Sequence, residues 1–108
     1  MIYELRIYHA APGKLNALNR RFETTTTRFF EKHGIRPVGF WTPLIGNSST
    51  DLYYMLEWES LAEREKKWNA FMSDPEWIRA RAESEAGGPL YTHITNLILS
   101  PTAYSKMR

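Results

Sequence analysis

Hydrophobic and polar residues follow two different periods in the first third of the chain. From Ile2 to Tyr8, apolar side chains occupy every second position on one face, and a period of two predicts a β-strand. Between Lys14 and His33 the apolar residues recur every three or four positions, which predicts an amphipathic helix. Gly34 follows as the usual helix stop.

The remaining two thirds of the chain repeat this alternation of strand and helix patterns. Ile35 to Thr42 and Leu52 to Trp58 are rich in aromatic and branched residues and flank a turn-like loop, so they predict a hairpin. Ser60 to Glu63 form a capping box that begins a second helix, and Asp74-Pro75 begins a short third one. A last strand is predicted from Leu90 to Leu99.

The predicted order of elements, β-α-β-β-α-β, is the ferredoxin-like arrangement. Right-handed crossovers put the helices on one face of a four-stranded antiparallel sheet, and 108 residues make a single α+β domain over residues 1–108. The other face should be polar, yet the third and fourth strands carry apolar residues on both sides. We therefore expect a second copy to cover it, in a homodimer whose two sheets pack as an α/β-barrel.

Short motifs distributed along the chain, each weakly specific alone, gain weight from their order and spacing. They are Ile2-Tyr3-Glu4-Leu5-Arg6 with Tyr8, Pro12-Gly13-Lys14, Phe30-Glu31-Lys32-His33-Gly34, Val38-Gly39-Phe40-Trp41, Ser60-Leu61-Ala62-Glu63-Arg64, Asp74-Pro75-Glu76-Trp77, and Leu99 with Pro101-Thr102. Together they resemble the NIPSNAP family over nearly the whole chain. The resemblance implies a dimeric α/β-barrel but no particular reaction, because bacterial single-domain members mostly have none assigned. More distant barrel relatives include cofactor-independent monooxygenases, haem-degrading enzymes and small-molecule isomerases.

Composition and charge narrow the classes of function. The chain has no cysteine, which excludes disulfides and thiolate metal sites, and its net charge of +2 comes from scattered basic residues rather than a nucleic-acid-binding stripe. No apolar run approaches the roughly 20 residues that span a bilayer, so we expect a cytoplasmic protein without a membrane partner.

No metal triad or phosphate loop is present. The haem-degrading relatives carry an axial histidine on the second helix, and residues 60 to 83 contain none, so no cofactor is expected.

The most informative polar cluster is Glu4, Arg6 and Tyr8, which share one face of the first strand. If this face points toward the helices, the three side chains line a pocket that suits an acid or carbonyl ligand. If it points away, they form an ion pair at the dimer seam. Periodicity does not tell the two faces apart, so both interpretations stand.

Thr25 and Thr26 interrupt the apolar arc of the first helix. Their hydroxyls could meet a ligand, or each could bond the carbonyl one turn back and stay in the core. The structural interpretation is preferred for the pair, and Thr26 is kept as a ligand-binding candidate.

The histidines and tryptophans supply the remaining candidates. His93 lies within a strand and is the best candidate for a general base, although a satisfied core histidine is the more common finding. Trp41, Trp58, Trp68 and Trp77 could surround a flat organic molecule, although aromatics at such spacing more often form plain core.

Two functions from different classes follow from these patterns. In the first, the chain binds a small apolar or aromatic acid between sheet and helices, with cofactor-independent chemistry open to it. The ligand-binding candidates are Glu4, Arg6, Tyr8, Thr26, Trp41, Trp68 and His93. In the second, the chain is a non-enzymatic dimeric interaction or scaffolding module.

Overall fold

The predicted strands and helices are all present in the computed structural model, which describes residues 1–108. In chain order they are β1 (Ile2–Ala10), α1 (Leu15–Arg21), a π-helical segment (Phe22–Thr26), α2 (Thr27–Lys32), β2 (Arg36–Trp41), β3 (Asp51–Trp58), α3 (Leu61–Met72), α4 (Pro75–Ser84) and β4 (Tyr91–Leu99). None of the helices is both long enough and apolar enough to cross a bilayer.

The four strands form one antiparallel sheet in the order β2-β3-β1-β4, which confirms the ferredoxin-like α+β fold. β1 and β3 are the central pair, and their register sets Glu4 opposite Leu56 and Arg6 opposite Tyr54. Because side chains alternate between the two faces of a strand, the even-numbered positions of this central pair share one face.

The hydrophobic core lies between that face and the helices. Leu18, Phe22 and Phe30 come from the first helical stretch, while Phe71 and Trp77 come from α3 and α4. They pack against the even-numbered side chains of β3, which are Leu52, Tyr54, Leu56 and Trp58. The charged side of β1 therefore faces the core, and its apolar side faces away.

The two later helices begin at the predicted caps. The Ser60 hydroxyl accepts the backbone N–H of Glu63 at 3.1 Å, and the Asp74 carboxylate accepts that of Glu76 at 2.9 Å. Leu61 and Met72, the first and last residues of α3, are 62% and 40% exposed.

The first helix contains a π-helical segment in its threonine-rich middle. The hydroxyls of Thr24 and Thr27 donate to the carbonyls of Arg20 and Glu23, four residues back, at 2.7 and 3.2 Å. Such side-chain bonds compete with the helical backbone pattern. Single π-helical turns occur frequently at functional sites, which directs attention to the side chains of this segment.

The second face of the sheet, here called the outer face, has no helix packed on it. The odd-numbered positions of β1 and their register partners lie there, among them Leu5, Met55 and Leu97. Leu97 is 51% exposed, and Leu99 at the end of β4 is 39% exposed. This distribution agrees with the apolar pattern read on both sides of the strands.

Candidate functional site

A buried carboxylate, Glu4, is the centre of the polar network beneath the helices. Arg64 on α3 donates from Nε to Oε1 at 2.7 Å and from Nη2 to Oε2 at 3.0 Å. Arg6 Nη1 donates to Oε2 at 3.0 Å, Trp58 Nε1 to Oε1 at 3.1 Å, and Asn96 Nδ2 to Oε2 at 3.2 Å. Five donors satisfy both oxygens, so this carboxylate has no lone pair to spare for a substrate proton.

The charges of this network are fixed by its geometry. Burial by itself would raise the pKa of the Glu4 carboxyl, but the hydrogen bonds from Arg64 and the charge of Arg6 outweigh burial and lower the pKa to about 2. Burial would lower the pKa of Arg6, but the Tyr54 and Tyr8 hydroxyls and the Glu4 carboxylate raise it above its usual value. Two guanidinium groups thus share one carboxylate, which leaves one positive charge in excess.

Arg6 presents its guanidinium to the space between sheet and helices. Its Nε donates to the Tyr54 hydroxyl at 2.7 Å, and its Nη2 lies 3.5 Å from the Tyr8 hydroxyl, at the outer limit of a hydrogen bond. Its Cζ lies 4.5 Å from the ring centroid of Trp68, a cation–π contact. The structure thus places the cluster of Glu4, Arg6 and Tyr8 on the helix-facing side, away from the outer face.

A cavity of about 170 Å³ lies between this cluster and the helices. Its apolar lining consists of Phe22, Phe30, Trp68, Phe71, Met72, Trp77 and Ile94, and its polar lining of Arg6, Tyr8, Arg21, Thr26, Arg81 and Tyr91. An apolar cavity of about 150 Å³ accommodates benzene. The volume is therefore that of one aromatic ring or a short aliphatic chain.

Three buried polar atoms have no hydrogen-bond partner within the protein, and all three belong to residues that line this cavity. They are Thr26 Oγ1, Arg21 Nε and Trp77 Nε1. Leaving a buried donor unpaired costs about 1–3 kcal/mol, so three such atoms around one cavity mark it as a candidate binding site. The expected bond from Thr26 to the carbonyl one turn back is not made. Thr25 contacts only the hydroxyl of Thr24, at 3.3 Å.

Sequence reasoning missed the second charged cluster on this cavity. Arg21 Nη1 donates to Ser84 Oγ at 3.3 Å and to Glu85 Oε2 at 3.2 Å, and Arg81 Nε donates to the same Glu85 oxygen at 3.1 Å. Arg21 follows Leu18 by three positions, which puts it on the apolar arc of the first helix. That placement of a charged residue was the available signal.

His93, the predicted general base, is not at the cavity, and that prediction is wrong. It pairs in register with His9, whose odd-numbered position lies on the outer face. The two imidazoles stack with their centroids 4.0 Å apart, and His93 is exposed. His9 Nδ1 lies 3.1 Å from the carboxylate of Asp51. A strand position in the sequence did not reveal that β4 turns this side chain away from the helices.

Of the four tryptophans, Trp68 and Trp77 line the cavity. Trp58 is fully buried, and its indole is engaged by Glu4. Trp41 is 52% exposed and contributes instead to a shallow hollow with Pro43, Ile45 and Tyr53. The prediction that Trp41 lines the ligand site is wrong, because the neighbouring Phe40 takes the helix-facing position. The ring of Phe40 stacks on that of Tyr54, with the centroids 5.5 Å apart.

The NIPSNAP family model matches residues 3–106. This chain belongs to the NIPSNAP family. The NIPSNAP fold recurs in two proteins from Agrobacterium tumefaciens. One, of unknown function, has a TM-score of 0.86 and 23% identity over 100% of this chain and 94% of its own. The other has a TM-score of 0.83 and 25% identity over 99% and 98% of the two chains.

An uncharacterised NIPSNAP domain protein from Burkholderia xenovorans has the same fold, with a TM-score of 0.84 and 18% identity over 97% of this chain and 98% of its own. No curated protein matches this NIPSNAP chain in sequence. These comparisons confirm the family and the fold.

Proposed function

We propose that this NIPSNAP domain binds a small carboxylic acid with an apolar or aromatic body in the cavity between sheet and helices. The observation that carries the proposal is the set of buried donors without protein partners, Thr26 Oγ1, Arg21 Nε and Trp77 Nε1, all on residues of one cavity lining. Every one of these groups can donate a hydrogen bond, and an acid supplies acceptors.

The carboxylate end of the ligand fits beside Arg6. Because Arg64 holds Glu4 through two hydrogen bonds, the Arg6 guanidinium is not fully neutralised by that carboxylate. The Arg6 Nη2 donor makes only a long contact of 3.5 Å with the Tyr8 hydroxyl. A ligand carboxylate would replace that long contact with a shorter hydrogen bond between opposite charges.

The apolar body of the ligand fits among the aromatic rings. Trp68 and Phe71 pack edge to face with centroids 5.2 Å apart, and Phe30 contacts Phe71 at 5.4 Å. At about 170 Å³, the cavity admits one ring or a chain of similar volume. This restricts the ligand to single-ring aromatic acids and short fatty acids.

Binding, rather than a particular reaction, is what the arrangement supports. The Glu4 carboxylate is saturated by five donors, and the imidazole of His93 lies on the other side of the sheet. Cofactor-independent chemistry would therefore have to use the hydroxyls that line the cavity, those of Tyr8, Thr26 and Tyr91.

The test is a binding comparison between acids and neutral molecules of the same shape. Benzoate and hexanoate should raise the melting temperature, because a ligand that binds only the folded state stabilises it by mass action. Benzamide and hexanamide should not. Arg6→Met should abolish the difference, whereas Arg28→Met, which removes an exposed guanidinium, should preserve it. Equal responses to acids and amides would refute the proposal.

The outer face supports a second, independent proposal, that two copies of the chain form a homodimer through their sheets. Trp41, Leu97 and Leu99 are 52%, 51% and 39% exposed, and no helix of the same chain covers them. A second sheet packed at about 10 Å would remove these side chains from water. Sedimentation of the wild type should show a dimer at low micromolar concentration, and a folded monomer there would refute the assembly.

If the dimer forms but no acid binds, the non-enzymatic interaction or scaffolding role becomes the function of this domain. The expected absence of nucleic-acid and membrane partners and the cytoplasmic location stay predictions from the sequence.

A further inference from the structure

The Arg21 side chain forms a second polar end of the cavity. It is 4% exposed, and its Nη1 is bonded to Ser84 and Glu85, but its Nε–H has no partner in the protein. Its Cζ lies 5.7 Å from the ring centroid of Trp77, whose buried indole N–H also has none. Both residues line the cavity. Two neighbouring donors of this kind match one acceptor oxygen.

The charge at this end is positive. Arg21 and Arg81 share a single oxygen of Glu85, at 3.2 and 3.1 Å. The other hydrogen bond of Arg81 goes to the neutral Tyr91 hydroxyl, at 3.1 Å. One carboxylate therefore serves two guanidinium groups, as Glu4 does for Arg6 and Arg64, and one positive charge remains in excess.

Arg6 and Arg21 both line the cavity, and aromatic rings connect them along two walls. On one wall, Arg6 Cζ lies 5.7 Å from the ring centroid of Tyr8, which lies 4.8 Å from that of Tyr91. Arg21 Cζ lies 5.6 Å from the same Tyr91 centroid.

The other wall runs from Arg6 through Trp68, Phe71 and Trp77 to Arg21. The ring centroids of Trp68 and Phe71 lie 5.2 Å apart, and those of Phe71 and Trp77 lie 4.7 Å apart. Both series of contacts thus lead from one guanidinium to the other through aromatic rings of the cavity lining.

From this arrangement we infer that the ligand is a two-ended acid, with a carboxylate at Arg6 and a second acceptor oxygen at Arg21 and Trp77. The inference rests on the proposed function and specifies its ligand class. A benzoate with an oxygen-bearing substituent opposite the carboxylate belongs to this class, since the body between the ends must be flat and apolar. An acid with a vinyl group at that position fills nearly the same space as one with a formyl group but leaves both donors unpaired.

The experiment compares 4-formylbenzoate with 4-vinylbenzoate by isothermal titration calorimetry. The two acids have nearly the same length and differ in whether the far end carries an acceptor. We expect 4-formylbenzoate to bind the wild type about tenfold more tightly, since a hydrogen bond to a charged donor has about that effect. Trp77→Phe and Arg21→Met should each reduce this preference, and Arg6→Met should weaken both acids together.

The outcomes separate the two proposals. If both acids bind with equal affinity, or if the preference survives in both Trp77→Phe and Arg21→Met, the second acceptor site is wrong while the proposed acid binding stands. In that case the Arg21 cluster only joins the first helix to the end of α4. If neither acid binds and benzoate also fails, the proposed function itself is wrong. Trp77→Phe keeps most of the ring packing, so it decides the question should Arg21→Met fail to fold.

Discussion

Arg64 on α3 donates two hydrogen bonds to Glu4 on β1, from Nε to Oε1 at 2.7 Å and from Nη2 to Oε2 at 3.0 Å. Glu4 is fully buried, whereas the Arg64 side chain is 26% exposed. The pair fastens the helical layer to the sheet at the edge of the cavity. It also decides the charge beneath the helices, because the carboxylate that neutralises Arg64 cannot neutralise Arg6 as well.

Removing Arg64 should therefore destabilise the fold through the carboxylate it leaves behind. We expect Arg64→Met to lower the free energy of unfolding by about 2–3 kcal/mol, less than for a fully buried partner because Arg64 is partly solvated and Arg6 remains. The double variant Arg64→Met with Glu4→Gln should recover part of the loss. Urea denaturation of the set measures the coupling, and purely additive effects would show that the two residues do not act as a pair.

Glu4 should also make stability depend on pH in a defined window. Its pKa in the folded protein is lowered to about 2 from the ordinary value of 4.5, so the unfolded chain binds the proton more tightly. The stabilisation is complete above about pH 5 and is lost as the pH falls toward 2, by up to about 3 kcal/mol. Glu4→Gln should lack this contribution, so denaturation of both proteins between pH 6 and 3 should give a shallower slope for the variant.

Parallel slopes for the two proteins would mean that Glu4 is not the anion described here. Asp74 and Glu63 also have lowered pKa values. The carboxyl pKa of Asp74 is lowered by hydrogen bonds from Lys32 and His33, and that of Glu63 by the backbone N–H of Glu59 first and then, against burial, by Arg36. Both contribute equally to the wild type and to Glu4→Gln, so they cancel in the comparison.

How much of this could be read from the sequence depends on the range of the interactions involved. Element order and boundaries followed from local periods and caps, and the period of two was enough to bring Glu4, Arg6 and Tyr8 onto one face. The direction of that face was not accessible. The burial of apolar residues normally decides which face of a strand points to the core. Here β1 turns its charged side to the core, because Arg64, Trp58 and Asn96 from distant segments donate hydrogen bonds to the Glu4 carboxylate.

The same limit explains the errors and omissions in the site. The placement of His93 depends on its register with His9, which is 84 positions earlier and belongs to another strand. The Arg21 cluster depends on Glu85, 64 positions later. The apolar arc could have marked Arg21 as unusual, but no local period identifies its partner or that of His93. Trp68 could be placed because it lies one turn before the buried Phe71 on the same helix.

The hydroxyl of Thr26 should contribute to binding and not to stability. Because this buried oxygen has no protein partner, Thr26→Val should leave the free energy of unfolding within about 0.5 kcal/mol or raise it. The same variant should weaken the binding of benzoate. Thr24→Val, on the exposed side of the segment, is the matched control and should not alter binding. A clear loss of stability in Thr26→Val would mean that this hydroxyl makes a structural hydrogen bond.

The outer face should respond to charge if it is the dimer interface. Leu97→Glu puts a carboxylate on this face, and we expect sedimentation to show monomers at concentrations where the wild type is dimeric. Leu44→Glu makes the same change on the loop between β2 and β3, where the side chain is 97% exposed, and should leave the assembly unchanged. A dimer that tolerates Leu97→Glu would place the interface elsewhere.

The most direct test of acid binding in the cavity is the response of the four tryptophan indole N–H signals in NMR spectra during titration with benzoate. Each signal can be assigned with a Trp→Phe variant. We expect the Trp77 and Trp68 signals to shift and saturate together, because both rings line the cavity, while the Trp41 signal on the outer face stays in place. If only the Trp41 signal shifts, or if neither the Trp68 nor the Trp77 signal shifts and saturates, benzoate does not bind in the cavity.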